Sequence, residues 1–195
     1  MIQSESNVQI KELIKLQKNA RERKKKKLFV AEGMKLTKEA AFHGKLKKIY
    51  IAQDVYEHRE RELDDFLAKQ DYEVVDTKIF RQAAQTVTPQ GMLALVEVPE
   101  YSVDTLLCDP KRSFLLLDDL RDPGNLGTIM RTAEGAGMSG VILSRESVDL
   151  FNPKVVRATM GAIFRVPFYY ADDLIEVIER LKAKQIPVYG TMMQG

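Results

Sequence analysis

The chain has 195 residues, 45% of them hydrophobic and 30% charged, which is enough for one or two domains with a real core and excludes a disordered or fibrous chain. No apolar run approaches the roughly 20 residues of a membrane-spanning helix, and the polar start, Met1 to Asn7, lacks the apolar stretch of a signal peptide. The single Cys108 cannot form an internal disulfide and points to a reducing compartment, the cytoplasm; His43 and His58 have no ligand-like neighbours, so no metal site is expected.

The formal net charge is only +2, but residues 11 to 27 hold nine lysines and arginines, ending in Lys24, Lys25, Lys26 and Lys27, against Glu12 and Glu22. Such a basic first quarter suits a polyanionic partner. A solvated helix end reads equally well from charge alone.

In chain order, Val8, Ile10, Leu13, Ile14 and Leu16 recur at helical spacing within residues 8–20. Residues 28–31 are strand-like, and Met34 to Phe42 reads as a helix ending at Gly44, a suitable residue for the left-handed turn after a helix. Residues 49–51 form a strand, 59–69 a helix with Leu63, Phe66 and Leu67 on one face, 72–75 a strand, and 78–85 a short helix. Thr88-Pro89-Gln90-Gly91 is a turn, and 92–98 returns as a strand. Residues 99–112 have linker character, with a short helical turn at Leu106-Leu107. A second alternating unit follows, with strands at 114–117, 141–143, 166–169 and 186–189 and helices starting near Leu126, Pro153 and Leu174. Asn152-Pro153 is a helix start with a capping side chain and proline in the first turn. Parallel strands with helical crossovers are expected, covered on both faces.

Between 114–117 and the next helix lies Asp118-Asp119-Leu120-Arg121-Asp122-Pro123-Gly124-Asn125-Leu126-Gly127-Thr128-Ile129-Met130-Arg131. A loop at the carboxyl end of a parallel strand sits where open α/β sheets bind ligands. Asn125 is placed to cap a helix beginning at Leu126, and Gly127 and Arg131, four apart, share a face. Helix N-terminal amides beside an arginine suit a phosphate or ribose phosphate. The alternative is that the glycines serve packing and Arg131 pairs with Asp118, Asp119 or Glu134. The loop lacks the dinucleotide fingerprint and the P-loop lysine, and the chain has no nucleophile elbow.

This stretch, with Leu117 before it and Ala133-Glu134-Gly135-Ala136-Gly137 after it, closely resembles the first motif of the SpoU/TrmH family of RNA ribose methyltransferases in the SPOUT superfamily. The resemblance continues from Asn152 through Phe164. Phe29-Val30-Ala31-Glu32-Gly33 and Thr86-Val87-Thr88-Pro89-Gln90-Gly91 look like that family's substrate-binding domain. The resemblance implies a small α/β ribosomal-protein-like RNA-binding domain over residues 1–98, a linker over 99–112, and a parallel-sheet SPOUT (α/β-knot) methyltransferase domain over 113–195. It implies methyl transfer from S-adenosylmethionine to a ribose 2′-hydroxyl of rRNA, or of tRNA, and a homodimer in the full-length protein.

By the same resemblance Arg131 is the catalytic arginine and Asn125 holds the loop and helps place the substrate. Arginine keeps its proton too tightly to be a general base alone, so Arg131 is expected to work with an RNA phosphate or to stabilise developing charge; Glu134 is a candidate to position it. Lys24 to Lys27, Gly127 and Arg157 are candidate RNA-binding residues, Arg157 having an acid partner as its alternative. Gly190 and Thr191 are the candidate donor-binding residues. The family's second and third motifs, which build the donor pocket, are not found before Gly195. A truncated C-terminus, an incomplete donor pocket and an inactive chain are therefore expected. The competing reading is a non-catalytic module for structured RNA.

Overall fold

The computed structural model describes residues 1–108 and 113–191. The expectations for residues 109–112 of the linker and for 192–195 lie outside the described residues.

The first unit runs α1 (Val8–Lys18), α2 (Ala20–Lys26), β1 (Leu28–Glu32), α3 (Met34–Phe42), β2 (Leu46–Ala52), α4 (Gln53–Glu57), α5 (Arg61–Leu67), β3 (Tyr72–Val75), α6 (Thr77–Ala83) and β4 (Met92–Glu97). The basic stretch is itself a helix, α2, because the Asn19 side chain caps it by accepting from Arg21 N at 2.9 Å and so separates it from α1. Helix α3 ends as expected: Gly44 sits at φ 65°, and Gly44 N and Lys45 N donate back to Ala41 O and Ala40 O. This closure turns the chain into β2.

The strands order as β1-β4-β2-β3, antiparallel except where β2 lies parallel to β3. Alternation along each strand sends side chains to two faces. Val30, Tyr50 and Leu93 meet Ile10, Leu13 and Leu16 of α1 and Ile79 and Phe80 of α6. On the other face Ile49, Ile51 and Met92 pack on Leu63 and Leu67 of α5, whereas Phe29, Ala31, Ala94 and Val96 face the second unit.

That unit comprises α7 (Val103–Leu107), β5 (Phe114–Leu117), α8 (Pro123–Gly135), β6 (Gly140–Ser144), α9 (Pro153–Thr159), a 3₁₀ turn at Ala162–Phe164, β7 (Phe168–Ala171) and α10 (Leu174–Ala183). Its sheet is parallel, in the order β5-β6-β7. Helix α7 packs with α10 against Ile142 on one side of this sheet.

The expected strand at 186–189 is absent. Gln185 adopts a left-handed conformation at φ 59°, and Gln185 N and Ile186 N donate to Lys182 O and Leu181 O. This closes α10 and drops Ile186 onto Leu181 in the α7–α10 cluster, so the helix end takes the apolar residue that the sheet was expected to use. The strand expected at 166–169 starts two residues later, because the 3₁₀ turn holds Arg165 N and Val166 N on Ala162 O.

The two sheets share one core. Phe29, Ala31, Ala94 and Val96 cluster with Val155 and Val156 of α9 and with Ile163 and Phe164. Phe29 touches Phe151 at a ring-centroid distance of 4.9 Å. Among the described residues no helix is long and apolar enough to cross a membrane.

Candidate active site at the start of α8

The loop between β5 and α8 is pinned from below. Asp119, at φ 46°, donates its backbone N–H to Ser144 Oγ at 2.8 Å, and Leu120 donates to Ser147 Oγ at 3.2 Å. Both serines are buried, and Val148 N donates to Leu120 O at 2.8 Å. Arg121 grips the Asp119 carboxylate through Nε at 2.9 Å and Nη2 at 2.8 Å, and these bonds hold that carboxyl below its ordinary pKa. Residue pattern gave no hint of the two serines, which lie at the end of β6 (Gly140–Ser144) and in the turn after it.

The helix begins earlier than expected. Asp122, not Asn125, is its cap: its carboxylate accepts from Asn125 N at 2.7 Å. Pro123 takes the first helical position, where its missing N–H costs nothing, and a carboxylate is the better cap against the positive end of the helix dipole. Asn125 is thereby moved into the first turn. Its side chain is exposed and, among the described residues, has no hydrogen-bond partner.

Gly127 is also displaced from its expected role. It is buried against α9, where a Cβ would overlap the Ala158 side chain and lie 3.0 Å from the Ala158 carbonyl carbon. Gly127 therefore permits the α8–α9 crossing and offers no surface to a ligand.

Arg131 does reach solvent. Among the described residues it makes no hydrogen bond or ion pair, and two of the three acids considered for it are engaged elsewhere. Asp119 is held by Arg121. Glu134, expected to position Arg131, instead binds Arg165. Arg165 also binds Glu39 of α3, so it clamps the helix that carries Arg131 to the first unit.

Arg157 turns inward. Its Nη1 lies 3.9 Å from Glu32 Oε2 and is buried without a hydrogen bond. Glu32 in turn accepts from Gln85 N at 3.2 Å and from Thr86 Oγ1. In this structure the acid is the near partner, which sets Arg157 of α9 beside the end of β1, whose Glu32 in turn holds the loop before β4. Arg23, unremarked in sequence beyond its charge, is a second tie. Its side chain is 5% exposed, bonds Asp149 Oδ2 through Nε at 2.9 Å and Nη2 at 2.6 Å, and donates from Nη1 to Leu16 O and Gln17 O.

The four candidate lysines divide. Lys24 and Lys25 are exposed and unpaired among the described residues. Lys26 binds Glu12, and Lys27, the left-handed cap of α2, binds Glu100 at 2.7 Å. No hydrogen bond or ion pair among the described residues joins these lysines to α8. Gly190 and Thr191 follow the closure of α10 in irregular, exposed chain. Among the described residues a Cβ at Gly190 would meet nothing within 4 Å. Among the described residues no cluster of His, Cys, Asp and Glu could hold a metal ion.

The geometry therefore presents Arg131, uncommitted among the described residues, on the third turn of a helix that starts at the carboxyl end of a parallel strand, after a loop fixed by buried serines. Such a group attracts phosphate and stabilises developing negative charge.

Residues 112–195 match the model of the SpoU rRNA Methylase family, and residues 7–94 match that of the MRM3-like substrate binding domain. The chain is 34% identical over 196 residues to the 23S rRNA (guanosine(2553)-2′-O)-methyltransferase RlmP of Bacillus subtilis, covering 100% of this chain and 74% of that protein. It is 33% identical over 178 residues to the human mitochondrial rRNA methyltransferase 3, covering 86% of this chain but 38% of that longer protein. Among solved structures, the AdoMet-bound rRNA methyltransferase from Sinorhizobium meliloti superposes with a TM-score of 0.76 at 30% identity, over 91% of this chain and 67% of that one.

Proposed function

The chain belongs to the SpoU rRNA Methylase family, and from that premise we propose that it is an S-adenosylmethionine-dependent RNA methyltransferase acting on a ribose 2′-hydroxyl of rRNA. S-adenosylmethionine supplies the electrophilic methyl group. The observation that carries the reading at residue level is Arg131, exposed and uncommitted while its neighbouring acids Asp119 and Glu134 are occupied.

Arg131 is the catalytic residue in this reading. It binds the phosphate beside the target ribose and stabilises charge developing on the 2′-oxygen. Asn125, exposed on the first turn, helps to place the substrate. Lys24 and Lys25 supply sequence-independent attraction to the RNA backbone. Residues 1–98 act as the substrate-binding domain, 99–112 as the joint and 113–195 as methyltransferase domain.

The donor site is not enclosed by Gly190 and Thr191 alone. The open space at Gly190 supports a pocket completed by residues additional to these. A homodimer is supported by the exposed apolar Ile175 and Tyr189, 70% and 87% accessible. A cytoplasmic location is supported by the exposed, unbridged Cys108.

The test is to map ribose methylation on rRNA from cells lacking the protein and from cells complemented with the wild type or with Arg131→Ala. One 2′-O-methyl mark should disappear, return with the wild type and stay absent with the variant. A methylation map unchanged by the deletion would sink the reading.

A further inference from the structure

A cleft of about 1020 Å³ opens between α3 and the second unit, at the upper end of the roughly 300–1,000 Å³ of small-ligand sites. Lys35, Phe42 and His43 of the first unit line it, with Gln90 from the loop before β4 and Arg165 from the second unit. We infer that this cleft receives an unpaired nucleotide of the RNA substrate, its base stacked on Phe42 and its phosphate held by Lys35. The inference rests on the RNA-methyltransferase reading and adds to it a subsite of defined chemistry.

Phe42 is the first observation. Phenylalanine is ordinarily among the buried residue types, yet this ring is 85% exposed. It is not a loose side chain. The His43 ring meets it edge-on at 5.2 Å and is itself stacked on Phe164 at 6.1 Å, with the planes 12° apart. Phe164 continues to Phe29 in the shared core. The outermost ring of an aromatic row rooted in the interior is thus offered to solvent with its packing partner already fixed, so stacking a base on it orders little that is mobile. Exposed aromatic rings are the usual platforms for splayed bases.

Lys35 is the cation the cleft offers to a phosphate. It is exposed and unpaired among the described residues. Lys38 is engaged by Glu62. Glu39, the acid in the cleft, shares Arg165 with Glu134 and faces His43 at 3.8 Å. The Gln90 side chain is exposed and makes no hydrogen bond among the described residues, which leaves its donor and acceptor for a base edge.

Position supports the same occupant. Arg165 on the cleft wall is bound to Glu134, one turn along α8 from Arg131, so a strand of RNA leaving the cleft past Arg165 arrives at the uncommitted arginine. A fully paired duplex keeps its bases in the stack and cannot use the ring.

The test uses the whole chain, a short RNA hairpin carrying 2-aminopurine in its loop, and the same strand fully paired. Binding should quench the loop fluorophore for the wild type and for Phe42→Trp but not for Phe42→Ala. Affinity for the hairpin should fall roughly tenfold in Phe42→Ala at an unchanged salt slope. Lys35→Ala should lower the slope by about one contact. Phe42 is exposed, so circular dichroism should show the variant folded. Hairpin binding and quenching that are the same in Phe42→Ala as in the wild type overturn this inference and leave the enzymatic reading standing. No binding of either RNA by the wild type overturns both.

Discussion

The start of α8 and the stretch around α9 carry the family resemblance together, and they end in opposite environments. On α8, Asn125, Thr128 and Arg131 face solvent and Arg131 has no partner among the described residues. Around α9, Arg157 is drawn to Glu32, Asp149 is locked by Arg23, and Phe151, Val155, Val156 and Phe164 fill the core between the sheets. Both segments are rich in residues that suit RNA. They present their arginines differently. The difference teaches that an arginine in a motif stays available to a ligand when the acids near it are taken by something else. It signals architecture when a buried acid waits for it across the interface.

The comparison breaks most sharply at Arg131. Arg131→Ala should lower turnover a hundred- to a thousandfold, about 2.7–4 kcal/mol of transition-state stabilisation, while the denaturant midpoint stays within about 0.5 kcal/mol of wild type. Arg23→Ala should do the reverse. It strands the Asp149 carboxylate and the Leu16 and Gln17 carbonyls, and should cost about 3 kcal/mol of stability. Urea melts of both variants, set beside rRNA methylation rates, decide the matter. A stability loss in Arg131→Ala matching that of Arg23→Ala would erase the distinction drawn here.

Much of this was legible in the sequence. Alternation and helical spacing marked most strands and helices, and Gly44 marked the closure of α3. The apolar runs at 28–31 and 92–98 were legible as strands. What covers the second face of β1 was not legible, because nothing local to Phe29 names Phe151 or Phe164 as its neighbour. The cap of α8 was misread for a related reason: Asp122 and Asn125 are both good caps, and Pro123 decides between them by taking the first helical position. Residues 186–189 have the apolar character of a strand, but the closure of α10 claims Ile186 first. Arg157 and Arg165 needed the fold, since each finds its acid on an element far away in the chain.

Within α8 the contrast can be sharpened on two glycines of one helix. Gly135→Ala places a methyl group in open space and should stabilise the protein by about 0.5–1 kcal/mol through helix propensity. Gly127→Ala gains the same propensity but drives its methyl into Ala158. The strain of overpacking, about 1–3 kcal/mol, should leave a net loss of about 1 kcal/mol. Thermal melts of the pair should move in opposite directions. A shared upward shift would mean that α9 yields freely, and that the α8–α9 crossing is looser than its contact suggests.

The smallest effect belongs to the basic helix, where the same rule separates neighbours in sequence. Lys24 and Lys25 are free to meet phosphate, whereas Lys26 and Lys27 already hold Glu12 and Glu100. Each lysine that neutralises a phosphate releases counterions, and each such contact adds about 0.7–0.9 to the slope of log affinity against log salt. The double variant Lys24→Ala, Lys25→Ala should therefore reduce the slope of RNA binding by about 1.5, with stability unchanged. Lys26→Ala with Lys27→Ala should reduce it far less, because removing those cations also frees two carboxylates that repel the RNA only weakly through salt. Binding isotherms across a salt series measure both. Equal slopes for the two variants would show that the surface ion pairs open when RNA arrives, and that a partner seen in the free protein does not by itself remove a lysine from the RNA-binding face.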